Sequence, residues 1–166
     1  MVGAGYPLAY KLYPYRQVAA QSLPPQRHPV IVIGAGPIGV ATALDLAKRG
    51  TPALVLDDHE GVGQGSRAIC FAKRTLEIAD RLGAGDAMVE KGVVWSVGKV
   101  FHGEHRVFEF NLLPEEGHKY PAFINLQQPY FEKLLVDAAR QAAAEGAPIE
   151  IRGRNAVTGL CQENDC

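Results

Sequence analysis

Apolar and polar positions change rhythm several times along this chain, and each change predicts an element. Val30-Ile31-Val32-Ile33 is an unbroken apolar run rich in β-branched residues, which reads as a buried parallel strand. Ala53 to Leu56 offers a second such run. Between them a helix is predicted from about Pro37 to Arg49, with Val40, Ala41, Leu44 and Ala47 on its buried stripe. Proline suits the first helical position, Lys48-Arg49 suits the negative helix end, and Gly50 supplies a stop. The two strands are expected to lie parallel, bridged right-handedly by that helix.

A second helix is predicted over Phe71 to Leu82, ending at Gly83. Trp95 to Phe101 and Arg106 to Phe110 alternate like strands and are joined through His102-Gly103-Glu104-His105, an antiparallel hairpin. The cleanest helical period is carried by Phe131, Leu134, Leu135, Ala138, Ala139 and Ala142, with Pro129 near its start and Gly146 closing it. Pro148 to Ile151 then reads as a short strand. Met1 to His28 has four prolines, four tyrosines and no period, and is expected to be an extended arm or packing tail.

Composition narrows the class. A chain of 166 residues with 47% hydrophobic and 21% charged positions has globular values and fits one modest domain or part of a larger one. A formal net charge of −1 leaves no electrostatic footprint for nucleic acid or an anionic membrane. Cys70, Cys161 and Cys166 form no ligand spacing and read as thiols of a reducing cytoplasm. His102, His105 and His118 are separated by turns and a proline, and read as surface residues rather than metal ligands. No run approaches a membrane span, and the N-terminus lacks the pattern of a signal peptide, so a cytoplasmic protein is expected.

Candidate chemistry sits at the end of the first strand. Gly34-Ala35-Gly36-Pro37-Ile38-Gly39 is a Gly-x-Gly-x-x-Gly pattern between strand and helix, and the second strand ends on Asp57. That context gives the pattern a dinucleotide-binding meaning. Gly34 serves a tight turn, Gly36 a close approach of backbone to pyrophosphate, and Gly39 close packing of helix on strand. Amide groups and the dipole at the helix start attract phosphate, and Asp57 can accept from a ribose diol. Asp58 lies beside it. Asp58 to Ser66 is a polar loop with three glycines, the composition of a mobile or ligand-hugging segment rather than a packed element.

With the hairpin inserted after the second helix, the chain from about Val30 to Ile151 resembles the FAD-dependent aromatic hydroxylases, single-component flavoprotein monooxygenases. Three motifs carry the resemblance: the glycine pattern with Asp57, Gly65-Ser66-Arg67-Ala68, and Asn125-Leu126-Gln127-Gln128-Pro129. The family more often has glutamate where Asp57 stands. The resemblance implies an α/β, Rossmann-like FAD-binding domain over residues 29–166, after an arm at 1–28, interrupted by a hairpin at 93–110 from the substrate-facing layer. It implies FAD contacts at Gly34, Gly36, Pro37, Ile38, Gly39, Asp57, Asp58, Ser66, Arg67 and Gln128. Arg67 would place its guanidinium near the pyrophosphate, unless it is a solvated loop arginine. Gln128, or its neighbour Gln127, would bond FAD near the ribityl-pyrophosphate portion, unless it merely caps the helix.

No catalytic side chain is implied, because in such enzymes the flavin carries the chemistry. NADPH or NADH would reduce it, and oxygen would be transferred to a small aromatic substrate while the protein excludes water. Trp95, Phe101, Phe108 and Phe110 either line an aromatic pocket or belong to the core. The family's Asp-Gly segment after the third helix's strand and its later Gly-Asp segment are not found, and Gly85-Asp86-Ala87 follows a helix stop instead of a strand. The chain therefore reads as the front portion of a longer enzyme, inactive alone, with a homodimer expected of the longer form. Two other readings stand beside it: a nicotinamide-dependent dehydrogenase using the same glycine pattern, and a non-catalytic nucleotide-binding remnant.

Overall fold

The computed structural model describes residues 13–24, 26–63 and 67–163. A single 3-10 turn over Ala19–Ser22 precedes strand β1 (Val30–Ile33), helix α1 (Pro37–Lys48) and strand β2 (Ala53–Leu56). Then follow β3 (Cys70–Ala72), α2 (Lys73–Leu82), α3 (Gly85–Lys91), β4 (Val93–Trp95), β5 (Val97–His102), β6 (His105–Asn111), β7 (Phe123–Asn125), α4 (Gln128–Ala144) and β8 (Ile149–Arg152). The strands form three sheets: parallel β1-β2-β8, antiparallel β3-β7-β4, and the hairpin β5-β6.

The parallel sheet has the register expected of a strand–helix–strand unit, with Val30 opposite Ala53 and Ile33 opposite Leu56. Strand β8 returns on the far side of β2, which leaves β2 central and Val55 fully buried. Helices α1 and α4 pack on each other over one face of this sheet. Val40, Ala43 and Leu44 of α1 meet Leu135, Val136 and Ala139 of α4 in one core that also takes in Leu76, Met88 and Ile124. Each fully buried leucine or isoleucine stabilises the fold by about 1.5–3 kcal/mol. On the opposite face of β1, Ile31 and Ile33 are 51% and 65% exposed.

Several expectations are corrected. The predicted second helix is two elements: Cys70–Ala72 is a strand paired with β7, and the helix begins only at Lys73. Phe71 faces the core from that strand, opposite Ile124. Trp95 does not open the hairpin but ends β4, stacked on Phe123 at 5.2 Å with its indole N–H donating to Asn125 Oδ1 at 3.0 Å. In α1 Ala43 joins Leu44 as a fully covered position, while Ala41 is only partly buried. Helix α3 and strand β7 had no sequence expectation at all.

The hairpin forms, but over Val97–His102 and His105–Asn111; residues 93–95, expected to belong to it, lie in the sheet with β7 instead. His102 pairs with His105 around a two-residue turn whose Gly103 has φ 59°, the left-handed value that the first position of a type II′ turn demands. Phe110 lays its ring over Gly98, its cross-strand partner. Phe101 and Phe108 are 56% and 58% exposed, and neither Trp95 nor Phe110 joins the core cluster. His102, His105 and His118 are exposed. Cys70 and Cys161 are exposed free thiols, whereas Cys166 lies outside the described residues. No helix among the described residues is long and apolar enough to cross a membrane.

Candidate functional site

The chain leaves β1 through Gly34, whose φ of 99° is strained for any residue with a side chain. Its N–H donates to Leu56 O at 2.7 Å, tying the turn to the end of β2. Gly36 then caps α1 in extended conformation with no side chain to satisfy the first-turn amides, and a β-carbon there would meet nothing within 4 Å. Those amides are consequently available to an outside acceptor. Gly39 serves the opposite purpose: a β-carbon on it would collide with the Gly34 carbonyl. The missing side chain is what lets α1 sit down on the turn.

Asp57 follows β2 directly, with its side chain 13% exposed. One oxygen accepts from Ala35 N at 2.6 Å and the other from His59 N at 2.9 Å. The carboxylate thus clasps the glycine turn from the neighbouring strand; Oδ1 also stands 3.2 Å from His59 Nδ1, while Oδ2 retains a lone pair for an outside donor. Asp58 points away. It is 66% exposed, and its carboxylate stands 2.7 Å from His59 Nδ1.

The facing wall comes from the start of α4 and the loop after β2. Gln128 Oε1 accepts from the Arg67 backbone N–H at 3.2 Å, while Gln128 Nε2 donates to Glu132 Oε1 at 2.6 Å. The second oxygen of Glu132 accepts from Gly63 N at 3.1 Å. Glu132 is only 5% exposed and is the single buried charged residue among the described residues.

A third wall comes from the arm. Pro14 bridges to Gly61, Tyr15 N donates to Glu60 O at 2.9 Å, and Arg140 Nη2 donates to Pro14 O at 2.9 Å. Tyr15 consequently lays its ring on Gly153 at the end of β8, and its hydroxyl donates to Ala35 O at 3.4 Å. Burial, then the Asp57 and Glu132 carboxylates, hold this phenol well above its ordinary titration range, so it stays neutral.

Between these walls lies a cleft of about 580 Å³. Of the residues expected to contact a cofactor, Gly36, Pro37, Asp57, Arg67 and Gln128 line it. Gly34 and Gly39 shape the turn beneath it. Ile38 is 79% exposed and, like Asp58, is not part of the lining. Ser66 lies outside the described residues. Tyr15 and Glu132 line the cleft without having been anticipated, and His59 and Glu60 line it from the polar loop after β2. For Glu132 a signal was present: it stands four positions after Gln128 on one helix face, beside the apolar Phe131, Leu135 and Val136. Tyr15 had none, because the arm has no period.

The parts of the cleft match a dinucleotide. Open helix-start amides suit a pyrophosphate, Arg67 adds a cationic residue to the lining of the same cleft, and Asp57 has acceptor capacity for a diol. A parallel α/β sheet with its glycine turn and carboxylate at the strand ends defines the dinucleotide-binding class. Residues 27–165 match the model of the FAD binding domain family, and the chain belongs to that family. It is 31% identical over 144 residues to a flavin-dependent monooxygenase of Mycobacteroides abscessus, covering 82% of this chain and 29% of that protein. It is 26% identical over 138 residues to para-nitrophenol 4-monooxygenase of Pseudomonas sp. strain WBC-3, covering 81% of this chain and 33% of that protein. The crystal structure of p-nitrophenol 4-monooxygenase from Pseudomonas putida DLL-E4 superposes with a TM-score of 0.73 at 28% identity, over 83% of this chain and 34% of that one. The chain thus spans about a third of the length of these relatives.

Proposed function

We propose that this chain forms the adenosine and pyrophosphate half of the FAD site of a flavin-dependent monooxygenase that hydroxylates a small aromatic compound, with NADPH or NADH as reductant and O2 as co-substrate. The observation that carries this reading is the pairing of Gly36 at the open start of α1 with the Asp57 carboxylate across one cleft. The α1 amides and Arg67 take the pyrophosphate, and Asp57 takes the ribose diol. Gln128 and Glu132 hold the loop that carries Arg67. The flavin ring, when bound, supplies the redox and oxygen-transfer chemistry. The chain's own part is to grip the cofactor's non-reacting end and orient it.

Names of similar proteins support the substrate class, since one acts on para-nitrophenol. The proposal places the protein in the cytoplasm, with no nucleic acid or membrane partner and with a homodimer as the assembly of the longer form. The test is a flavin fluorescence titration of the chain, with ADP and NAD as competitors. Quenching by FAD that ADP reverses is expected. A chain that takes NAD but never FAD would make this the site of a nicotinamide-dependent dehydrogenase instead. For any longer protein carrying these residues, FAD-dependent consumption of NAD(P)H and O2 on addition of phenols, with a hydroxylated product seen by mass spectrometry, is the expected activity.

A further inference from the structure

The bonds on the facing wall of the cleft form a directed chain. It begins at one backbone donor, Arg67 N–H, and ends at another, Gly63 N–H. Among the described bonds, two side chains link them, Gln128 and Glu132. With donors at both ends, one middle group must accept from two sides, and the other must accept on one side and donate on the other. A carboxylate is acceptor-only and a carboxamide is one of each. Gln128 fills the mixed role and Glu132 the acceptor role. Turning the Gln128 amide over would set its NH2 against the Arg67 N–H and its oxygen against the Glu132 carboxylate. The neighbours therefore fix its orientation.

From this geometry we infer that Glu132 is a positioning residue of the site, acting through the polarity of this chain. It pins Gly63 directly and Arg67 through Gln128, so both ends of the 63–67 segment are clipped to the first turns of α4. The inference rests on the reading of the cleft as the FAD site, and within that reading it explains how an exposed arginine is delivered to one place. A buried carboxylate beside a pyrophosphate site is unfavourable in itself. Its two charge-assisted bonds give it a reason to be there.

Polarity has a distinctive test, because it survives an exchange. Glu132→Gln keeps the size but sets an NH2 against either Gly63 N–H or the Gln128 NH2. The double variant Gln128→Glu with Glu132→Gln restores all three of these bonds. In it the Arg67 N–H donates to the new carboxylate at position 128. The new carboxamide at position 132 donates to that carboxylate through its NH2, and its oxygen accepts from Gly63 N–H. Limited trypsinolysis after Arg67, followed by mass spectrometry without flavin, reads the clip directly. Glu132→Gln is expected to speed this cleavage at least about tenfold, and the exchange variant to bring it back within about twofold of the parent. FAD affinity of Glu132→Gln is expected to fall by a similar factor. Should Glu132→Gln fail to fold, recovery of folding in the exchange variant supports the inference equally. Unchanged cleavage in Glu132→Gln, or an exchange variant no better than the single one, would overturn the inference. A parent chain that never binds FAD while cleavage follows polarity would instead overturn the cofactor reading, leaving the clip as a purely structural device.

Discussion

Gly39→Ala gives the sharpest test of how the glycine turn is built. In a helix, alanine ordinarily gains roughly 0.5–1 kcal/mol over glycine. Here the sign should reverse. The new β-carbon would run into the Gly34 carbonyl oxygen, with Gly34 C at 3.2 Å and Val32 Cγ1 at 3.3 Å. Ordinary carbon–oxygen contact needs about 3.3 Å, so α1 must back away from the turn by roughly 1 Å or more. Neither partner can swing aside, because the obstacle is main chain held by the Gly34 N–H bond to Leu56 O at 2.7 Å. Backing off would also unpack Val40, Ala43 and Leu44, all 1% exposed or less. Overpacking of this kind costs about 1–3 kcal/mol, and loosening three core side chains adds to it. A net loss of about 3 kcal/mol is expected, read as a lower urea midpoint at unchanged slope. A variant as stable as the parent would show that α1 is not seated directly on the turn.

Gly36→Ala should behave oppositely: with φ −68° and open space around it, stability should stay within about 0.5 kcal/mol while FAD titration shows weaker binding. Retained FAD affinity would remove Gly36 from the site. Asp57→Ala should cost about 1.5–3 kcal/mol of FAD affinity, and equal affinity in a fluorescence titration would exclude its diol role. Burial, then bonds to Asp80 and Asp86, push the Tyr120 hydroxyl up to about 12 from 10.0. Its neutral form is thus favoured by folding. That contribution is complete below pH 10 and is lost as pH rises toward 12. Melting temperatures between about pH 9 and 12 should fall more steeply for the parent than for Tyr120→Phe, and parallel curves would refute this.

What the sequence made legible followed from local rules. Val30–Ile33, Pro37–Lys48 and Ala53–Leu56 lie within one residue of expectation, because composition, proline and glycine stops all agree there. Cys70–Ala72 was misjudged since three residues carry no period, and their state is set by β7, some fifty positions away. The same holds for Phe123–Asn125 itself. At the site, residues fixed by backbone geometry, such as Gly34 and Gly39, could be read from spacing. Residues brought in by tertiary contact could not. Asp57 was read for its charge, yet its bonds to Ala35 N and His59 N also make it a clasp of the turn. Gln128 was read as a contact to a cofactor, and its carboxamide in addition bonds Arg67 N and Glu132.

The family match begins at residue 27, but one wall of the cleft is Tyr15. That ring spans from Gly153 to Ala35 across the strand ends. Selectivity among ligands of this cleft therefore has a source outside the domain that defines the family. A compound shaped to the glycine turn and Asp57 alone would treat family members alike. One that also packs against the Tyr15 ring would distinguish this chain from a relative lacking the arm, and an arm deletion would erase that preference.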